Sequence, residues 1–115
     1  MFKIDTQLDD KILVLSVQGY CESAAGKEIY EITKKAFTVQ KLTGVIFDFS
    51  ACKVINSSCI ALLMETAELV TCDFRSDAVV CGLDQTKISF FKMFGMLDLA
   101  ELKDDIESAK KYLAD

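Results

Sequence analysis

"DFSACKVINSSCIALLMETAELV", residues 48–70, runs from the polar end of a strand through two adjacent serines into an apolar helix, and its reading decides the fold. Upstream, "TGVIFDFS", residues 43–50, is a β-branched and aromatic run bounded by turn residues, the pattern of a buried strand. From about residue 57 to 72, Ile60, Leu63, Met64, Ala67 and Val70 share one face of a 3.6-residue wheel, enough to pack a helix on a sheet. "SDAVVCGL", residues 76–83, is a second buried strand. Strand, crossover helix and strand call for parallel pairing with a right-handed connection, so the fold class is α/β.

Working outward, residues 2–5 and 11–18 flank the turn-like "TQLDD" and read as an antiparallel pair. In the second of these strands Leu13, Leu15 and Val17 share one face while Val14, Ser16 and Gln18 share the other. One dry face and one partly wet face place the helices mainly on one side of the sheet. Residues 22–40 repeat Ile29, Ile32, Ala36 and Val39 at helical spacing, which predicts an amphipathic helix. After Leu83, "DQTKISFFKMFGML" is a third helix ending near Gly95, residues 97–102 form a short strand or extended piece, and residues 105–113 a last helix. The expectation is a mixed sheet of four to five strands with about four helices, in a single domain spanning residues 1–115.

Composition narrows the function. The chain is 51% hydrophobic and 27% charged, which supports a packed core. Its net charge of -5 and lack of a basic stripe argue against nucleic acid as a partner. The N-terminal residues lack the pattern of a secretory signal, and the longest apolar run there is too short to span a bilayer; a cytoplasmic protein without membrane insertion is expected. There is no histidine, and the five cysteines form no C-x-x-C pair, so no metal site and no cofactor is expected and reduced thiols are the default. Nucleophile elbow, P-loop and dinucleotide fingerprints are absent too, and the chain does not read as an enzyme. The carboxylate pairs Asp9-Asp10 and Asp104-Asp105 sit in polar turns or helix starts, where they act as solvated caps.

Attention therefore returns to the helix start. Asn56, Ser57 and Ser58 are all residue types that cap helices, yet one cap suffices. Asp48 and Ser50 close the preceding strand at its C-terminal end, where open α/β sheets place functional loops, so these polar groups are expected to converge on one edge. Cys59 follows the serines as a packing residue; a small-molecule or redox protein using its thiol is an alternative of a different class. On the same helix Leu62 and Leu69 lie opposite the sheet-facing stripe, beside Thr66. They either meet a neighbouring helix or form a docking surface for another protein.

Across essentially its whole length the chain resembles a STAS domain of the small, free-standing bacterial anti-sigma factor antagonist type. The stretch "FDFSACKVINSSCIALL" stands where that family has an acidic strand end followed by D-S-[ST]-G and an apolar helix. Asn56 replaces the aspartate of that signature, and Cys59 its glycine. "VQGYCES" is similar to the family's glycine-ended second strand followed by an acidic residue, here Glu22, and "FFKMFGMLDLAELKDDIESAKKYL" resembles its C-terminal helices. The resemblance implies partner switching in transcription regulation: a kinase that is also an anti-sigma factor phosphorylates the signature serine, and a PP2C-type phosphatase reverses it. The matching position is Ser57, with Ser58 as the alternative acceptor. A constitutive STAS scaffold or transporter-associated subunit without phosphorylation is the rival reading within the same fold.

Overall fold

A computed structural model of the chain describes residues 1–114. The elements run β1 (Phe2–Asp9), β2 (Ile12–Cys21), α1 (Ser23–Val39), β3 (Gly44–Asp48), β4 (Cys52–Ile55), α2 (Ser57–Glu68), β5 (Asp77–Cys81), α3 (Gln85–Phe94), β6 (Glu101–Leu102) and α4 (Ile106–Ala114). A π-helical turn, Leu69–Asp73, extends α2, and a 3-10 turn, Met96–Asp98, follows α3. Among the described residues the strands form one six-stranded mixed sheet in the order β1-β2-β3-β5-β6, with β4 also paired to β2.

The β1–β2 hairpin is antiparallel, and it is longer than the sequence pattern suggests because Thr6 to Asp9 continue the strand opposite Ile12 to Leu15. The reversal needs only Asp10 and Lys11, with Asp10 at a φ of 57°, a left-handed conformation that aspartate tolerates. The β2–β3, β3–β5 and β5–β6 pairs are parallel, as the crossover pattern requires.

Strand β4 is the element that periodicity misses. Its four residues alternate poorly, with Cys52 and Ile55 buried and Lys53 and Val54 exposed, so no two-residue rhythm survives. What makes it a strand is β2. That strand outruns its pairing with β3 at Ser16, leaving the backbone groups of Gly19 to Cys21 in need of partners. The chain leaves β3 at Asp48, turns through residues 49–51, and meets that demand: Gly19 N–H donates to Ala51 C=O at 3.1 Å and Asn56 N–H to Cys21 C=O at 3.2 Å.

The large core lies between one sheet face and α1, α2 and α3. Leu13, Leu15, Val17, Val45, Phe47 and Val80 meet Ile29, Phe37, Ile60, Leu63, Ala67 and Phe91 there, and Phe49 meets Phe91 edge to face with ring centroids 5.7 Å apart. The opposite face carries Val14, Ile46, Val79 and Cys81 under α4, whose Ala109 completes a smaller core. The expected one-sided distribution of helices holds, with α4 alone on the wetter face. Of the expected α1 stripe, Ile29 is buried and Ile32 and Ala36 pack against the core, while Val39 at the helix end is corrected to the surface at 69% exposure; Ala25, Gly26, Thr33 and Phe37 are the other buried positions. Among the described residues, no helix is long and apolar enough to cross a membrane.

Candidate functional site

The α2 start is organised by Asn56. Its extended backbone places it as the N-cap, its Oδ1 accepts the Cys59 N–H at 3.0 Å, and its C=O accepts the first helical bond, from Ile60 N–H at 3.1 Å. Asn56 therefore does the capping that three polar residues competed for in the sequence. Ser57 and Ser58 occupy the first turn, both exposed, and neither hydroxyl has a hydrogen-bond partner among the described residues. Their backbone N–H groups precede the first intrahelical bond, at the positive end of the helix dipole.

The expected convergence of Asp48 and Ser50 on this loop does not occur. Asp48 accepts from the Ser50 N–H and hydroxyl, each at 3.1 Å, from Ser16 at 3.5 Å and from the Cys81 thiol at 3.7 Å. Ser16 and Cys81 belong to the sheet face covered by α4, whereas α2 packs on the other face. Successive side chains of a strand point to opposite faces, and Asp48 falls on the α4 side with Ile46. Asp48 and Ser50 line a separate small hollow with Gly82, Asp104 and Asp105, and their bonds shape the turn into β4. Glu22 is the exposed N-cap residue of α1, without a side-chain capping bond. Of the acid pairs read as caps, Asp105 does cap the start of α4, accepting the Ser108 N–H, while Asp9 ends β1 and pairs with Lys110; Asp84, outside those pairs, caps α3 by accepting the Lys87 N–H. The capping bonds hold the Asp84 and Asp105 carboxyls below their ordinary range.

The docking stripe also needs correction. Thr66 is fully buried and its hydroxyl donates to the Leu62 C=O at 2.8 Å. Leu62 packs on Gly26 of α1 so closely that a Cβ built on Gly26 would stand 2.8 Å from the Leu62 Cβ. The second apolar stripe thus meets a neighbouring helix, with Leu69 half-buried at its end beside Tyr30. Leu62→Gln should cost about 2 kcal/mol, because it trades buried apolar surface for an amide without a partner. Urea unfolding of the variant checks this; a loss below ~0.5 kcal/mol would return Leu62 to the surface.

Cys59 is fully buried, and burial pushes its thiol up to about 12, outweighing any help from the helix start. It packs. Near pH 7, iodoacetamide should modify the exposed Cys72 and leave Cys59 intact, as peptide mass mapping would show. Labelling of Cys59 at the rate of Cys72 would contradict its burial.

Sequence reasoning missed a surface that includes Ile55, two residues before Ser57. A hollow of about 580 Å³ lies between β4 and α3, lined by Lys53, Val54, Ile55, Asp84, Thr86, Lys87, Ser89, Phe90 and Met93. Val54 and Met93 are exposed large hydrophobics there, Met93 to 72%. The missing signal was β4 itself: without that strand, nothing places Val54 opposite α3. Among the described residues, no group of three or more His, Cys, Asp or Glu side chains is placed to hold a metal ion.

As a sequence, the chain matches no family model and no curated protein. As a structure, it is similar to a serine-to-glutamate variant of the Moorella thermoacetica protein RsbS, with a TM-score of 0.85, 15% identity, and coverage of 97% of this chain and 95% of that one. The Bacillus cell fate determinant SpoIIAA in its phosphorylated form matches with a TM-score of 0.72 and 14% identity, covering 97% and 99%. A sulfate transporter family protein from Wolinella succinogenes matches with a TM-score of 0.78 and 14% identity, covering 92% and 87%.

Proposed function

We propose that this chain, whose fold is the STAS fold of the anti-sigma factor antagonists, is a non-catalytic regulatory protein that switches partners when Ser57 is phosphorylated. The observation that carries the reading is the division of labour at the start of α2: Asn56 supplies the cap, and the Ser57 hydroxyl is exposed and free of structural duty. A hydroxyl needed to hold a helix start would resist modification; this one is not needed. A protein of the same fold, the Bacillus cell fate determinant SpoIIAA, has a phosphorylated form, which supports the reading.

The physics of the switch follows from the site. A phosphate on Ser57 adds nearly two negative charges beside the leading N–H groups of α2, where the helix dipole favours an anion, so the fold tolerates it. A protein docked over the loop and the β4–α3 hollow would face that charge at close range. A penalty of ~3 kcal/mol would weaken its binding more than a hundredfold. The hollow combines Val54, Phe90 and Met93 with Lys53 and the Lys87–Asp84 ion pair, which suits a partner surface presenting an apolar side chain ringed by polar groups. The kinase that acts as anti-sigma factor and the PP2C-type phosphatase are the partner classes of this reading, and a cytoplasmic setting goes with it.

Intact-mass measurement of the protein purified from its native cell, with fragmentation to place the modification, tests the proposal. A phosphate on Ser57 is the expected result, and its absence under every growth condition sampled would overturn it. In that event the second reading gains, a constitutive scaffold or transporter-associated unit, which the likeness to the Wolinella transporter family structure favours.

A further inference from the structure

Cys21 closes β2 and Cys52 opens β4, and their Sγ atoms stand 3.3 Å apart in the core. Buried cysteines commonly pack as isolated small hydrophobes. Here two of them, on neighbouring parallel strands, direct sulfur at sulfur. A disulfide bond is about 2.05 Å long, so bonding requires the two sulfurs to approach by roughly 1.2 Å; the register sets Cys52 opposite Gly19 and Cys21 opposite Ile55, so the link would run diagonally between the strands.

We propose that Cys21 and Cys52 are an oxidisable dithiol, which a low-molecular-weight disulfide such as glutathione disulfide converts to an intramolecular disulfide tying β4 to β2. In the first step the Cys52 thiolate attacks one sulfur of the reagent. A bond forms between Cys52 and that sulfur, the reagent's own S–S bond breaks, and the departing thiolate takes up the proton Cys52 released. Cys21 then loses its proton and attacks Cys52 Sγ, expelling the second reagent thiolate, which takes up that proton. Two protein thiols are oxidised and one reagent disulfide is reduced to two thiols.

The order of attack follows from the surroundings. Cys52 is 5% exposed and Cys21 not at all, so the reagent meets Cys52 first. The hydrogen-bonding contact with Cys21 and the positive charge of Lys87 hold the Cys52 thiol below its ordinary range; the same contact with Cys52, and burial, push Cys21 up.

The bond would anchor the strand that leads into the serines. Among the described residues β4 pairs with β2 alone, through Gly19, Tyr20 and Cys21, and the Asn56 N–H that follows it is bonded to the Cys21 C=O. A covalent link from Cys21 to Cys52 therefore clamps the short strand that delivers the α2 cap. That the clamped segment carries a phosphoacceptor rests on the function proposed above; the disulfide itself does not.

The test uses the full chain carrying Cys72→Ser, which removes the exposed thiol, incubated with glutathione disulfide or with dithiothreitol. Intact mass should show the loss of two hydrogens, and a non-reduced peptide map should join Cys21 to Cys52. Amide hydrogen exchange across residues 52–59 should slow by about tenfold or more on oxidation. Unreacted thiols, a glutathione adduct that never resolves, or a linkage through Cys59 or Cys81 would overturn the proposal. A Cys21–Cys52 bond with unchanged exchange would overturn the clamp. None of these readouts involves phosphate, so failure here and failure of the Ser57 assignment are separately visible.

Discussion

Phosphate incorporation should fall to background in Ser57→Ala and persist in Ser58→Ala when each is expressed in the native cell and examined by intact mass. The fold should be indifferent to the first change. Asn56 holds the cap, Ser57 is exposed on the first turn, and alanine is the better helix former, so the thermal midpoint should stay within the range of ~0.5 kcal/mol typical of surface substitutions. The two measurements together separate an acceptor from a structural residue. If Ser57→Ala kept full labelling while Ser58→Ala lost it, the neighbouring hydroxyl would be the acceptor. If Ser57→Ala unfolded, its hydroxyl would have a structural role that the geometry does not contain.

A second large effect is expected at Gly82, far from Ser57 in sequence but adjoining the turn that leads to it. Gly82 has a φ of 74°, and a methyl there would stand 2.5 Å from the Ser50 N and 2.6 Å from Asp48 Oδ1. Backbone in the left-handed region disfavours alanine by roughly 1–2 kcal/mol, and the overlap falls on main chain and on a carboxylate held by its own hydrogen bonds. Gly82→Ala should therefore lose ~3 kcal/mol or more, about 10 °C in thermal midpoint for a domain of this size. Gly95→Ala is the control. Its φ is 82°, yet the nearest atom to an added methyl is 3.8 Å away, so only the backbone term of roughly 1–2 kcal/mol applies. Equal losses at both positions would show that the contact with the Asp48–Ser50 turn carries no weight.

That turn also marks where the sequence ceased to be legible. Residues 43–50 and 76–83 announced buried strands because hydrophobic runs need no knowledge of their neighbours, and the α2 face of Ile60, Leu63 and Ala67 was fixed by helical periodicity. Gly95 ended α3 where the helix end was expected, in a left-handed conformation. These are local properties, and they sufficed for the α/β class and for the serines at a helix start.

What remained was relational. The two apolar stripes of α2 are equivalent in sequence, and the approach of α1 at Gly26 partly covers Leu62, while Thr66 lies fully buried. Asp48 and Ser57 are close along the chain, but strand alternation turns Asp48 to the face under α4, whereas the helix that Ser57 opens packs on the other face. Strand β4 exists because β2 runs past its first partner, a demand that no residue within 52–55 encodes. The sequence by itself determined which segments are strands and helices wherever burial is strong and periodic, and that two hydroxyls open α2. The tertiary structure alone decided which of three polar residues caps that helix, which apolar face stays exposed, and which two thiols meet, because each depends on a contact between segments whose spacing along the chain carries no record of it.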